Sequence, residues 1–278
     1  MRLKADIRLD RSVSANGTPN MRDALSLLNK YADTFRQLVS RRVSSSDKDI
    51  KSLLRLNAES DWDFLTAAMD IIGDASSAIE HVRQFGLTGP TKYNDQGETY
   101  LRLYGLLSAT YAQQQAILTL YKIMQVPNPK DARKLFDQLA LRSLRHKLSA
   151  HGTDYKSDRD ANAEAFVPVR IQLTDRTITY ANYTARSYSE TVDVADAISA
   201  HAVLMVETMD RILEKTITTT FRDDADKLTD FQSKLADLRH EKAGGLVFKS
   251  PDGAVTMKIT FVGSEENSPG ISLPDGSE

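Results

Sequence analysis

The sequence predicts a mainly α protein: a helical bundle with one β-hairpin inserted at about 166–180 and a short second β-hairpin near the C-terminus. Three observations carry this. Apolar residues recur at three- and four-residue steps over most of the chain, which gives each helix one buried stripe. Between about 166 and 180 the period drops to two, the spacing of a strand. After Gly244-Gly245, two short runs flank Pro251-Asp252-Gly253, a turn composition.

Asn16-Gly17-Thr18-Pro19 marks a turn and a helix start, with Thr18 as N-cap and Pro19 at the first helical position. The helix that follows carries Leu25, Leu28, Tyr31, Phe35 and Leu38 on one face. Ser44-Ser45-Ser46-Asp47 interrupts it and opens a short helix over 48–57. Ser60 and Asp63 form a capping-box-like start for a helix bearing Trp62, Phe64, Leu65, Met69, Ile72 and Ile79, which ends near Gly86. Beyond the Gly89-Pro90 loop lies the longest helix, about 95–125. Tyr100, Tyr104, Leu107, Tyr111, Leu118 and Tyr121 line one side, and Leu103, Leu106 and Ile117 widen it. A helix this apolar belongs at the centre of the bundle.

Pro127-Asn128-Pro129 stops that helix, and Asn128 caps the next, 130–151, which closes on Gly152 in the C-cap position. Val167, Val169, Ile171 and Leu173 then alternate with Pro168, Arg170 and Gln172, before Asp175-Arg176 turns the chain into Thr177–Tyr180. Pro168 puts its strand at an edge. From Asp193, the series Ala195, Ile198, Ala202, Met205, Met209 and Ile212 restores the helical period. The β-branched cluster Thr216–Thr220 is expected to break or kink this helix, and a shorter one covers about 223–242. Leu246–Lys249 and Val255–Val262 make the last hairpin. Residues 1–262 are expected to form a single domain, and the acidic, Pro/Gly/Ser-containing stretch 263–278 a disordered tail.

Composition excludes several chemistries. Hydrophobic residues make up 41% and charged ones 27%, a balance that permits a real core. The net charge of -2 rules out a general polyanion surface but leaves room for a local basic patch. With no cysteine, disulfides, thiolate metal sites, iron–sulfur clusters and cysteine nucleophiles are excluded. Met1–Asp6 lacks the apolar run of a secretory signal, and no apolar stretch approaches the roughly 20 residues of a membrane helix. The expectation is a cytoplasmic protein with no membrane partner. There is no glycine-rich phosphate loop, dinucleotide fingerprint or Gly-x-Ser-x-Gly turn. His81, His146, His151, His201 and His240 form no Glu-x-x-His or His-Glu-x-x-His pattern, so neither a metal nor a cofactor is expected. Asp237 and His240 share a helix face, a spacing common on solvated surfaces.

What remains is the segment from Arg142 to Tyr155. Between Lys130 and His151 there are six Lys/Arg (130, 133, 134, 142, 145 and 147) and two acids (Asp131 and Asp137). Cations at a helix C-terminus complement its dipole; the alternative use is a phosphate-binding patch. His151 continues the stripe Leu144, Leu148 and could seal the helix end as a partly buried histidine. It could equally serve chemistry beside Arg145, since imidazole moves protons near neutral pH and guanidinium holds phosphate.

The string Arg145-His146-Lys147-Leu148-Ser149-Ala150-His151 resembles the Arg-x(4–6)-His motif of the HEPN superfamily (higher eukaryote and prokaryote nucleotide-binding domains). A polar residue follows the arginine, and five residues separate it from the histidine. The motif covers barely a dozen residues, and helix order extends the likeness loosely over about 20–242. Members are bundles of four or five core helices; many are metal-independent endoribonucleases acting as toxins, antiphage factors or RNA processors, and they dimerise around a shared cleft. The resemblance implies a homodimer with Arg145 and His151 catalytic, His146 and Ser149 supporting, and Arg142 and Lys147 binding RNA. It also implies a possible antitoxin or other protein partner. Two departures stand out: the residue after the arginine is more often Asn or Asp, and Tyr155 is four positions beyond His151 rather than in a His-x-Tyr pair. Other readings are a non-catalytic module that binds RNA, nucleotide or protein, and a helical scaffold with no active site.

Overall fold

The computed structural model describes residues 22–90, 95–158, 161–185, 188–243, 246–249 and 256–259. The helix start expected at Thr18-Pro19 and the tail from 263 lie outside the described residues. The bundle is built by α1 (Arg22–Val43), α2 (Ile50–Leu54), α3 (Asp61–Phe85) and α4 (Gln96–Ile123). α3 and α4 pair along their lengths, and α4 also meets three later helices, which makes it the central one. Asp49 and Asp95 accept the backbone N–H groups of Ser52 and Gly97 and so cap α2 and α4. The expected Ser60 cap is absent; instead the Asp61 carboxylate accepts the N–H groups of Asn57 and Ala58 at 3.0 Å.

The helix expected over 130–151 is three pieces: α5 (Pro129–Asp137), α6 (Ala140–Leu144) and a π-helical turn, Arg145–Ala150. Ala132, Phe136 and Leu139 form one buried stripe; Leu141, Leu144 and Leu148 form another. At 100° per residue the two stripes point about 140° apart, so one straight helix could not bury both. Extended backbone at Leu139 (φ -68, ψ 133) resets the phase. Asn128, in the left-handed region at φ 61, makes no side-chain cap bond. Gly152 is not a left-handed cap either: the chain turns at His151 (φ -134, ψ 43), and the Gly152 carbonyl accepts the Phe166 N–H at 2.7 Å.

The inserted hairpin is present and belongs to a three-stranded antiparallel sheet in the order β1 (Phe166–Pro168), β2 (Thr177–Asn182), β3 (Tyr188–Asp193). Asp175-Arg176 forms the expected turn, with the Thr174 N–H donating to the Thr177 carbonyl at 3.1 Å. Residues 170–172 coil into a 3₁₀ turn rather than continue the strand, which leaves Ile171 88% exposed. α7 (Val194–Thr220) shows no break in its threonine cluster. Thr216, Thr218 and Thr219 donate their hydroxyls to carbonyls four residues back, which absorbs them into the helix. α8 (Ala225–Ala243) and the antiparallel pair β4 (Leu246–Lys249) and β5 (Thr256–Ile259) complete the described elements.

The core has two apolar clusters. One gathers Phe35, Leu65, Leu120, Met209 and Phe231; the other gathers Ile79, Leu103, Leu141, Leu144, Phe166 and Ile198. Where they meet along α3, α4 and α7 lies a layer of buried polar side chains: Ser76, Thr110, Gln113, Gln114 and His201.

Candidate functional site

The π-helical turn decides how the Arg142–His151 segment presents its side chains. The His151 N–H donates to the His146 carbonyl, five residues back, at 2.9 Å. On an α-helix such residues point about 140° apart; closing the turn one residue later brings them to the same face. The two imidazole rings consequently lie 14° from parallel with centroids 6.3 Å apart.

Tyr111, from the middle of α4, supports this face. The Arg145 guanidinium lies over its ring at 3.9 Å, within cation–π range. His146 meets the same ring edge-on, with centroids 6.0 Å apart. Arg145, His146 and His151 are therefore gathered into one cluster, and Arg145 makes no ion pair among the described residues. Ser149 sits exposed on the turn.

The two residues expected to guide an RNA backbone are directed elsewhere. The Arg142 side chain is 5% exposed; its Nε lies 2.7 Å from Asp137 Oδ1, the distance of an ion pair without the alignment of a hydrogen bond. Its Nη1 donates to Gln114 Oε1 at 3.2 Å, and the guanidinium is 5.2 Å from the Tyr111 ring. Lys147 reaches into the sheet. Its Nζ donates to the Tyr180 hydroxyl at 3.0 Å, lies 3.6 Å from Glu190, and sits 5.0 Å from the Phe166 and Tyr180 rings. These two cations hold the turn onto α4, α5 and the sheet.

Burial, then Arg142, Arg145 and His151, hold the pKa of His146 below its ordinary value, against a weaker upward pull from Asp137. His151 is exposed, and its Nδ1 lies 3.3 Å from Asp154 Oδ1. That contact fixes the ring and turns Nε2 away from the carboxylate.

Behind the cluster, the buried polar layer forms an oriented chain. Gln113 Nε2 donates to the Ile72 carbonyl and the Ser76 hydroxyl, so its Oε1 faces His201 Nε2 at 2.8 Å. His201 Nδ1 then accepts from Gln114 Nε2 at 3.2 Å, and Gln114 Oε1 receives Arg142. Full burial pushes the His201 pKa down to about 3.

By spacing Tyr111 falls in the core stripe of α4, Asp137 counts only as one of the two acids of the basic segment, and Gln114 and Asp154 lie outside any motif. One signal was visible: three consecutive glutamines, Gln113–Gln115, interrupt an otherwise apolar helix, and the first two are buried. The contact of Asp137 depends on the broken helix, which the two out-of-phase stripes signal, and that of Asp154 on the π-helical turn, which carried no signal. A hollow of about 670 Å³ lies away from this cluster between α3 and α4, where Arg102 pairs with Glu98 and approaches His81. Among the described residues, no three His, Asp or Glu side chains converge as metal ligands, and no helix is long and apolar enough to cross a membrane. No protein family, curated protein or solved structure matches the chain.

Proposed function

We propose that the chain is a HEPN-like, metal-independent endoribonuclease of the toxin–antitoxin or antiphage-defence kind, acting in the cytoplasm as a homodimer. The observation that carries this reading is the cluster Arg145, His146 and His151 at Tyr111: a guanidinium that makes no ion pair among the described residues, beside two imidazoles, at the tip of a basic segment. Arg145 would bind the scissile phosphate and stabilise its added charge. His151 would act as general base or acid on the ribose 2′-hydroxyl or the leaving 5′-oxygen, giving a 2′,3′-cyclic phosphate and a 5′-hydroxyl end. Ser149, exposed on the same turn, would support through hydrogen bonds. An antitoxin or other protein partner would cover this tip.

The test is incubation of purified protein with mixed RNA in the presence of a chelator, with end-group analysis of the products. Cleavage should be lost on His151→Ala while RNA binding persists, and Arg145→Ala should damage both. Cleavage that survives unchanged in the double variant would sink the proposal. The engagement of Arg142 and Lys147 inside the protein favours a second reading, an RNA- or nucleotide-binding module that does not cut. Salt-dependent binding by a protein that yields no products would support it.

A further inference from the structure

We infer that His146 is a catalytic residue in its own right: it is the general base that takes the 2′-hydroxyl proton, while His151 of the same protomer is the general acid. This rests on the endoribonuclease reading and assigns the two proton transfers within it.

The geometry points to a pair. The π-helical turn places both imidazoles on one face, nearly parallel, with 6.3 Å between centroids. Imidazole nitrogens donate and accept in the plane of the ring, so a phosphate lying along the edges of two nearly parallel rings, rather than between their faces, can meet both. Arg145, the residue before His146, presents its guanidinium from the same Tyr111 ring, which brings a phosphate binder to the same place. The supports of the two histidines differ. His151 is exposed with Nδ1 beside Asp154, an arrangement that leaves Nε2 as the nitrogen open to substrate. His146 is half-buried against Tyr111 and faces Arg142, Arg145 and His151, with Asp137 the one acid among the groups that act on it. These cations and the burial disfavour its protonated form, which suits a base that must be neutral when RNA arrives.

The step balances without a further reactant. The His146 lone pair takes the 2′-hydroxyl proton as the 2′-oxygen bonds to phosphorus. The bond from phosphorus to the 5′-oxygen breaks, and His151 gives its proton to that oxygen. His146 leaves protonated and His151 neutral, and exchange with water restores both.

Three measurements test this on the full chain. First, His146→Asn keeps hydrogen-bonding capacity but cannot accept the proton; it should cut at least about 10²-fold slower than wild type. It should also lose the acidic limb of the kcat/KM profile, which lies below the ordinary imidazole value of 6.5. A merely supporting His146 would leave that limb in place. Second, mixing His146→Asn with His151→Ala should restore no activity, because neither chain carries both groups; recovery in the mixture overturns the same-protomer assignment. Third, imidazole NMR should show the His146 titration moving up in His151→Ala, and a His146 titration indifferent to that change removes the pairing. Wild-type protein that cuts no RNA overturns the endoribonuclease reading together with this one. Wild-type cutting that His146→Asn leaves unchanged overturns only the role of His146.

Discussion

Replacing Arg142 by Ala would remove a guanidinium that is 5% exposed and leave Gln114 Oε1 without its donor in the core. Losing one partner of a buried polar pair is costly because the other stays desolvated, so urea unfolding should show a loss of about 2–3 kcal/mol. Arg145→Ala, which removes only a partly exposed cation–π contact, should cost under about 1 kcal/mol. Equal costs for the two would contradict the division drawn between an inward and an outward arginine. His201 makes a prediction about pH. Burial lowers its pKa to about 3 from an unfolded value of 6.5. Between those values the unfolded chain binds a proton that the folded chain refuses, so stability is complete above 6.5 and falls as pH drops through the window. The slope from this residue approaches about 1.4 kcal/mol per pH unit. Unfolding at pH 7 and pH 5 should therefore show a steeper loss for wild type than for His201→Gln, and equal slopes would rule out a neutral buried imidazole.

At the level of elements, the inserted sheet is pinned to the bundle by its turn. Asp175 Oδ1 accepts the Thr88 N–H at 2.8 Å and also the Thr88 hydroxyl, beside the left-handed Gly86 that ends α3. Asp175→Ala should cost about 1–2 kcal/mol and speed hydrogen exchange in β2, whereas unchanged exchange would show that the core contacts of Ile178 and Tyr180 hold the sheet alone. Outside the segment 129–150, the helices and the Asp175-Arg176 turn were legible because each depends on local spacing. The third strand was not singled out: in Tyr188-Ser-Glu-Thr-Val-Asp193 few apolar side chains mark the period, and β3 is specified by pairing with β2. The unbroken end of α7 was misread because threonine propensity argues for a break, and propensity yields to packing around Ile212, Leu213 and Ile217. The site was legible as a string of residues and illegible as a shape. Nothing local announces a turn closed at five residues, and that turn joins His146 to His151 while Lys147 goes to the sheet.

At the scale of the whole molecule, the α4 face that carries Tyr111 sits between the two apolar clusters, and the buried chain from Ser76 through Gln113, His201 and Gln114 ends on Arg142, directly behind the cluster. The turn is thus held by the rigid centre of the bundle while its cationic tip is left at the surface, an arrangement suited to a second copy meeting it across a two-fold axis. A self-complementary interface of that kind would bring two Arg145 guanidiniums and two His146–His151 pairs together. Like charges so placed repel unless an anion lies between them, and salt weakens both the repulsion and the attraction to phosphate. The homodimer proposed above should therefore tighten when RNA is added at low salt and loosen when salt strips the RNA away. Light scattering at micromolar concentration should give twice the 31.0 kDa of the single chain, and Arg145→Ala should weaken the response to RNA without abolishing the dimer. A chain that stays at the single mass with and without RNA would remove the shared cleft from the proposal. The His146–His151 pair would then have to account for any cleavage within one protomer.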